Sequence, residues 1–115
     1  MNMIDDKPET LRTRRLHPVR RALKPVHDRI GQLNEAAAFL VAFSRRNADL
    51  PSLTSALAFN RSLIADTVSH FEDVVSQLPP KYHRDTRVAD VSLALDRITK
   101  AFDQVESQIA RRSEG

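Results

Sequence analysis

The chain has 115 residues, 41% of them hydrophobic and 29% charged: enough for one buried core, too few for two, and too apolar for a disordered polypeptide. It has no cysteine, which excludes disulfides, thiolate metal sites and a cysteine nucleophile. Only two glycines, Gly31 and Gly115, are present, so hairpins and βα loops lack their usual turn chemistry, and the net charge of +3 is concentrated near one end.

Residues 1–24 read as a basic, proline-interrupted arm. Pro8, Pro18 and Pro25 each disfavour continuation of a preceding helix. Between Thr10 and Arg29 the positive residues Arg12, Arg14, Arg15, Arg20, Arg21, Lys24 and Arg29 face only Asp28, a local net of +6. A short helix from Pro8 to about His17, capped by Asp5 or Asp6 and carrying Leu11 and Leu16, is the most the arm's pattern supports. The start, Met1-Asn2-Met3-Ile4-Asp5-Asp6, lacks the basic and apolar segments of a secretory signal. The longest apolar run, Ala36 to Phe43, is far below the ~20 residues a membrane span needs. A cytoplasmic protein with no membrane partner is expected.

Residues 25–115 read as one helical bundle domain. The first long helix is predicted from Pro25 to Asn47, with Val26, Ile30, Leu33, Ala37 and Leu40 on one stripe and Ala36, Phe39 and Phe43 beside it. The second is predicted over Ser52 to Gln77, after the break Asp49-Leu50-Pro51. Its stripe is Leu53, Leu57, Ile64, Val68, Phe71, Val75 and Leu78, with Asn60 in register and Ala56, Phe59 and Leu63 widening the apolar face. Asn60 fits either a register-setting amide inside a seam or a residue at the core's edge. Pro79 and Pro80 open a linker through Arg84, and Asp85 or Thr86 can cap the third helix. That helix, Arg87 to about Arg112, places Val88, Val91, Leu95, Ile98, Phe102, Val105 and Ile109 at alternating steps of three and four, the period of supercoiled helix packing. Matched lengths and short connections predict an all-α fold: three long helices in an antiparallel up-down-up bundle or a helical dimer.

Chemistry-bearing constellations are sparse. His17, His27, His70 and His83 fall at no metal-ligand spacing, although Asp66 and His70 can meet on one helix face. Asp90, Asp96 and Asp103 recur on the third helix with no glutamate-rich helix to complete a di-metal site. No phosphate loop, GxSxG or catalytic triad signature occurs. Neither enzymatic activity nor a metal or cofactor is expected. The arm's arginines, without interleaved aromatics, suit phosphate contacts or an acidic protein surface. A helix-turn-helix is disfavoured by the length of the helices.

Ala48-Asp49-Leu50, then Leu53-Thr54, then a long helix ending Leu78-Pro79 with Tyr82 three residues on, resembles the TraM-type anti-activators of plasmid quorum sensing. The resemblance spans residues 48–82. It implies a small all-helical regulatory protein, commonly dimeric, that binds and silences a LuxR-type transcription factor. With the residues, it favours a non-enzymatic interaction protein that sequesters a protein partner and forms a homodimer. Phe39, Phe43, Phe59, Leu63, Leu95 and Phe102 are the candidate partner or dimer interface, the third helix's heptads being the leading surface for self-pairing. The alternative is a nucleic-acid-associated protein using residues 12–29 as an electrostatic arm.

Overall fold

The computed structural model describes residues 17–46 and 49–114. They form three long helices, α1 (Pro18–Ser44), α2 (Leu50–Gln77) and α3 (Thr86–Glu114), with one 3-10 turn (Pro80–Tyr82) in the second linker. The helices have 27, 28 and 29 residues, about 40–44 Å each at 1.5 Å per residue. All three pack against one another around one core, as an up-down-up bundle. No strand occurs among the described residues, and none of the described helices is long and apolar enough to cross a membrane.

Each helix contributes one stripe. From α1 come Val19, Leu23, Val26, Ile30, Leu33, Ala37 and Leu40; from α2 Leu53, Leu57, Ile64 and Phe71; from α3 Val88, Val91, Leu95, Ile98, Phe102 and Val105. The predicted stripe of α3 is buried along its length except at Ile109, which is half-buried. On α2 the pattern rotates slightly. Val68 and Val75 are half-buried while Thr67 is fully buried, its hydroxyl donating to the Leu63 carbonyl at 2.8 Å. That bond satisfies the polar group inside its own helix, which is what allows threonine into a core. Asn60 is half-buried and donates from Nδ2 to the Ala56 carbonyl at 2.8 Å. Its amide is satisfied within α2 and sets no register against a neighbouring helix.

One boundary is corrected. The helix expected to begin at Pro25 begins at Pro18, so the arm cannot extend to residue 24. Pro25 lies inside α1, exposed, where it donates no hydrogen bond toward the preceding turn. Val19 and Leu23 continue the stripe N-terminal to it and are fully buried. Their burial offsets the cost of the interior proline. The start is capped by His17, whose Nδ1 accepts from the Val19 amide at 3.1 Å. The short helix expected over residues 8–17, and the charges Arg12, Arg14 and Arg15, lie outside the described residues apart from His17.

The other two helix starts are capped by carboxylates. Asp49 accepts from the backbone N and the Oγ of Ser52, at 3.0 and 2.8 Å, and Asp85 accepts from the Arg87 amide at 2.9 Å. The Ser52 hydroxyl, then its amide, hold the Asp49 pKa below the ordinary 3.8. For Asp85 the Arg87 amide is the main cause of a lowered value, against the opposing effect of desolvation and with help from the Arg87 guanidinium. A depressed folded-state pKa contributes stability that is present above 3.8 and is lost as pH falls through the lowered value. The double substitution Asp49→Asn, Asp85→Asn keeps capping side chains but removes the charge. Its melting temperature is expected to fall less than the parent's between neutral pH and about pH 2. Parallel acid limbs for the two proteins would show that the caps do not couple folding to protonation.

Candidate interaction surface

Three helices give three seams, and two of them differ in what they expose. On α2 the flank bearing Arg61, Val68, Glu72 and Val75 lines cavities shared with α3. The opposite flank of α2, with Ala56, Phe59 and Leu63, therefore faces α1. Right-handed helices in this up-down-up order place Ala36, Phe39 and Phe43 on the α2 side of α1, and Val41 on the α3 side. Two apolar flanks thus meet at the α1/α2 seam.

At that seam the inner residues Ala36, Phe43, Ala56 and Leu63 are half-buried, and the outer ones are not covered: Phe39 and Phe59 are each 64% exposed. Phe39 stacks on Phe43, with ring centroids 5.3 Å apart and an interplanar angle of 16°, an arrangement that fixes the outer ring without hiding it. Phe39 lies five residues before the end of α1 and Phe59 nine after the start of α2. Their axial offset is about 6 Å, roughly one helical turn. Phe39 and Phe59 thus leave two exposed aromatic side chains on adjoining helix flanks. Leu93 on α3, 48% exposed, lies apart from them.

Two of the six interface candidates are corrected. Leu95 and Phe102 are 4% and 0% exposed and lie in the bundle's own core. From Val88 to Val105 the heptad stripe of α3 is buried within the bundle's own core. Phe39, Phe43, Phe59 and Leu63 are brought to one seam. The described basic residues Arg20, Arg21 and Lys24 lie exposed on the first two turns of α1. Arg20 and Lys24, with His27 and Asp28, line a depression of about 400 Å³, and Lys24 is paired with Asp28 at 3.3 Å. Lys100 and Asp96 form the i,i+4 pair expected from their spacing, at 3.1 Å. Asp66 and His70 are both exposed. No group of three or more potential metal ligands occurs among the described residues.

The α2/α3 seam is open. Beginning at the linker, a cavity of about 510 Å³ is floored by Phe71, Val75 and Val88, and a second of about 270 Å³ continues from it through Phe71, Glu72 and Ser92. Arg61 then bridges the seam, donating to Asp103 Oδ1 at 2.7 Å and to Glu106 Oε1. Beyond the bridge a third cavity of about 310 Å³ lies between Leu57 and Ile109. Neither the groove nor the bridge was legible in the sequence. Arg61 finds its partners 42 and 45 residues away, and helical periodicity carries no information at that separation.

The described residues form a three-helix bundle with an aromatic flank at the α1/α2 seam and an open apolar groove at the α2/α3 seam. Comparison with known protein families, with curated proteins and with solved structures returns no match.

Proposed function

We propose that this protein is a non-enzymatic helical interaction protein that binds and sequesters a protein partner through the aromatic α1/α2 seam. The observation that carries the reading is the pair Phe39 and Phe59, each 64% exposed on adjoining helix flanks and backed by half-buried Phe43 and Leu63. Rigid aromatic side chains on a helical scaffold lose little conformational freedom on binding, which is why they anchor interfaces. The resemblance to TraM-type anti-activators makes a transcription factor the partner class to test first. Under the same reading the protein is cytoplasmic and a homodimer, with Phe39 and Phe59 at or beside the self-pairing surface.

Sedimentation equilibrium on the parent and on Phe39→Asp, Phe59→Asp tests the seam. The parent is expected to be dimeric at micromolar concentration, and the variant monomeric with an unchanged melting temperature. Burying one phenylalanine contributes about 1.5–3 kcal/mol, so removing both is expected to weaken association by at least about tenfold, which corresponds to 1.4 kcal/mol. A LuxR-type transcription factor retained by the immobilised parent and released by the variant would support the regulatory reading. A monomeric parent whose retention of that factor is indifferent to both substitutions would end it.

A second reading is supported by the exposed Arg20 and Lys24 around the depression on α1: a nucleic-acid-associated protein that uses residues 12–29 for phosphate contacts. The two readings part on salt. Phosphate contacts weaken steeply as salt rises, whereas an aromatic contact persists.

A further inference from the structure

Two of the three long helices start behind carboxylates, and α1 starts behind an imidazole. We propose that His17 is a proton-operated cap: neutral, it closes the start of α1; protonated, it releases the Val19 amide and turns to Asp85 at the start of α3.

The cap works in one protonation state only. His17 Nδ1 accepts from the Val19 amide at 3.1 Å, which requires that nitrogen to carry no proton. The His17 carbonyl accepts from the Arg21 amide at 3.0 Å, so the same residue closes the first backbone bond of α1. Protonation turns Nδ1 into a donor facing another donor. It also sets a cation at the positive end of the helix dipole. Histidine is the side chain whose charge changes between about pH 5 and 8, so the contact is made and lost near neutrality.

The imidazolium has somewhere to go. The His17 ring sits edge-on against Tyr82, with centroids 5.1 Å apart. The Tyr82 carbonyl accepts from the Asp85 amide at 3.0 Å, which holds Asp85 in the same turn. Around the ring, α1 supplies Arg20 and Arg21, the linker Lys81, Tyr82, His83 and Arg84, and the start of α3 Asp85 and Arg87, while Ser76, Gln77 and Leu78 at the end of α2 carry no charge. Asp85 is the one carboxylate of this set, half-buried and already held by the Arg87 amide and guanidinium. After the Arg87 amide and guanidinium, the charge on His17 is a further cause of the lowered Asp85 pKa, so the two groups sense each other. The neighbouring His83 is tied elsewhere, with Nε2 at 2.8 Å from the Leu78 carbonyl. Losing the cap opposes protonation of His17 and gaining Asp85 favours it, so the device exchanges one contact for another. The first turn of α1, which carries exposed Arg20 and Arg21, is closed at neutral pH and open in mild acid.

A pH titration of the full chain, followed by nuclear magnetic resonance with each of the four histidine rings read separately, tests this. The Val19 amide signal is expected to move with the midpoint of the His17 ring and to lose its protection from exchange on the acid side. In Asp85→Asn, which keeps a capping side chain on α3, the His17 midpoint is expected to fall, because the imidazolium has lost its partner. In His17→Asn, a cap that does not titrate, the Val19 signal is expected to stay flat. A Val19 amide that follows another histidine, or none, would overturn the proposal. So would a His17 midpoint that is the same in Asp85→Asn and the parent. Neither outcome depends on Phe39 or Phe59, so this proposal and the aromatic-seam reading stand or fall separately.

Discussion

Phe102→Asp is expected to abolish stable folding. Phe102 is 0% exposed, central in the α3 stripe, and packed in the cluster to which all three helices contribute. Truncating a buried phenylalanine costs about 3–5 kcal/mol, a large share of the roughly 5–15 kcal/mol that holds a domain folded. A carboxylate at this position adds the cost of burying a charge with no partner. Far-ultraviolet circular dichroism of the variant should show loss of most helical signal, while Phe102→Leu, which keeps an apolar side chain, should retain a cooperative melt. A Phe102→Asp protein that melts like its parent would mean that α3 does not meet the other helices through this residue.

Leu23→Ala is expected to destabilise the whole bundle by about 2–5 kcal/mol, the range for leucine truncation in a core. The effect discriminates sharply. Were residues 1–24 a separable arm, the substitution would be silent. Leu23 is fully buried with Val19 and Val26 beside it on the stripe, so the loss should appear as a lower melting temperature of the single cooperative transition. Arg20→Ala, on the exposed face of the same turn, is the control and should leave the melt within about 0.5 kcal/mol of the parent.

The core of α3 was readable in full because burial on one helix face is a local, periodic property: Val88, Val91, Leu95, Ile98, Phe102 and Val105 needed only their spacing. The same property was present at Val19 and Leu23, which precede Val26 at steps of four and three. There Pro18 and Pro25 signal a break in the helix, and tertiary packing of the stripe is stronger than that local preference. Phe39 and Phe59 could be recognised as apolar excess, but their exposure depends on how far each helix is rotated toward its neighbour. The assignment of Leu95 and Phe102 to an interface failed for the complementary reason. A heptad stripe serves a partner chain or its own chain equally well, and the bundle's internal packing decides which.

The proline inside α1 has a consequence for how the molecule opens. Residues 18–24 are joined to the remainder of α1 across a position that supplies no amide hydrogen bond, so the helix has one hydrogen bond fewer there, and the buried Val19 and Leu23 tie these two turns to the core. The hydrogen bonds on either side of that position remain, so these turns stay part of the single cooperative core, and only the first amides of α1 open ahead of its middle. Slow amide exchange should therefore be graded along α1, with the protected end at Ile30–Leu40 and the labile end where the basic segment joins the bundle.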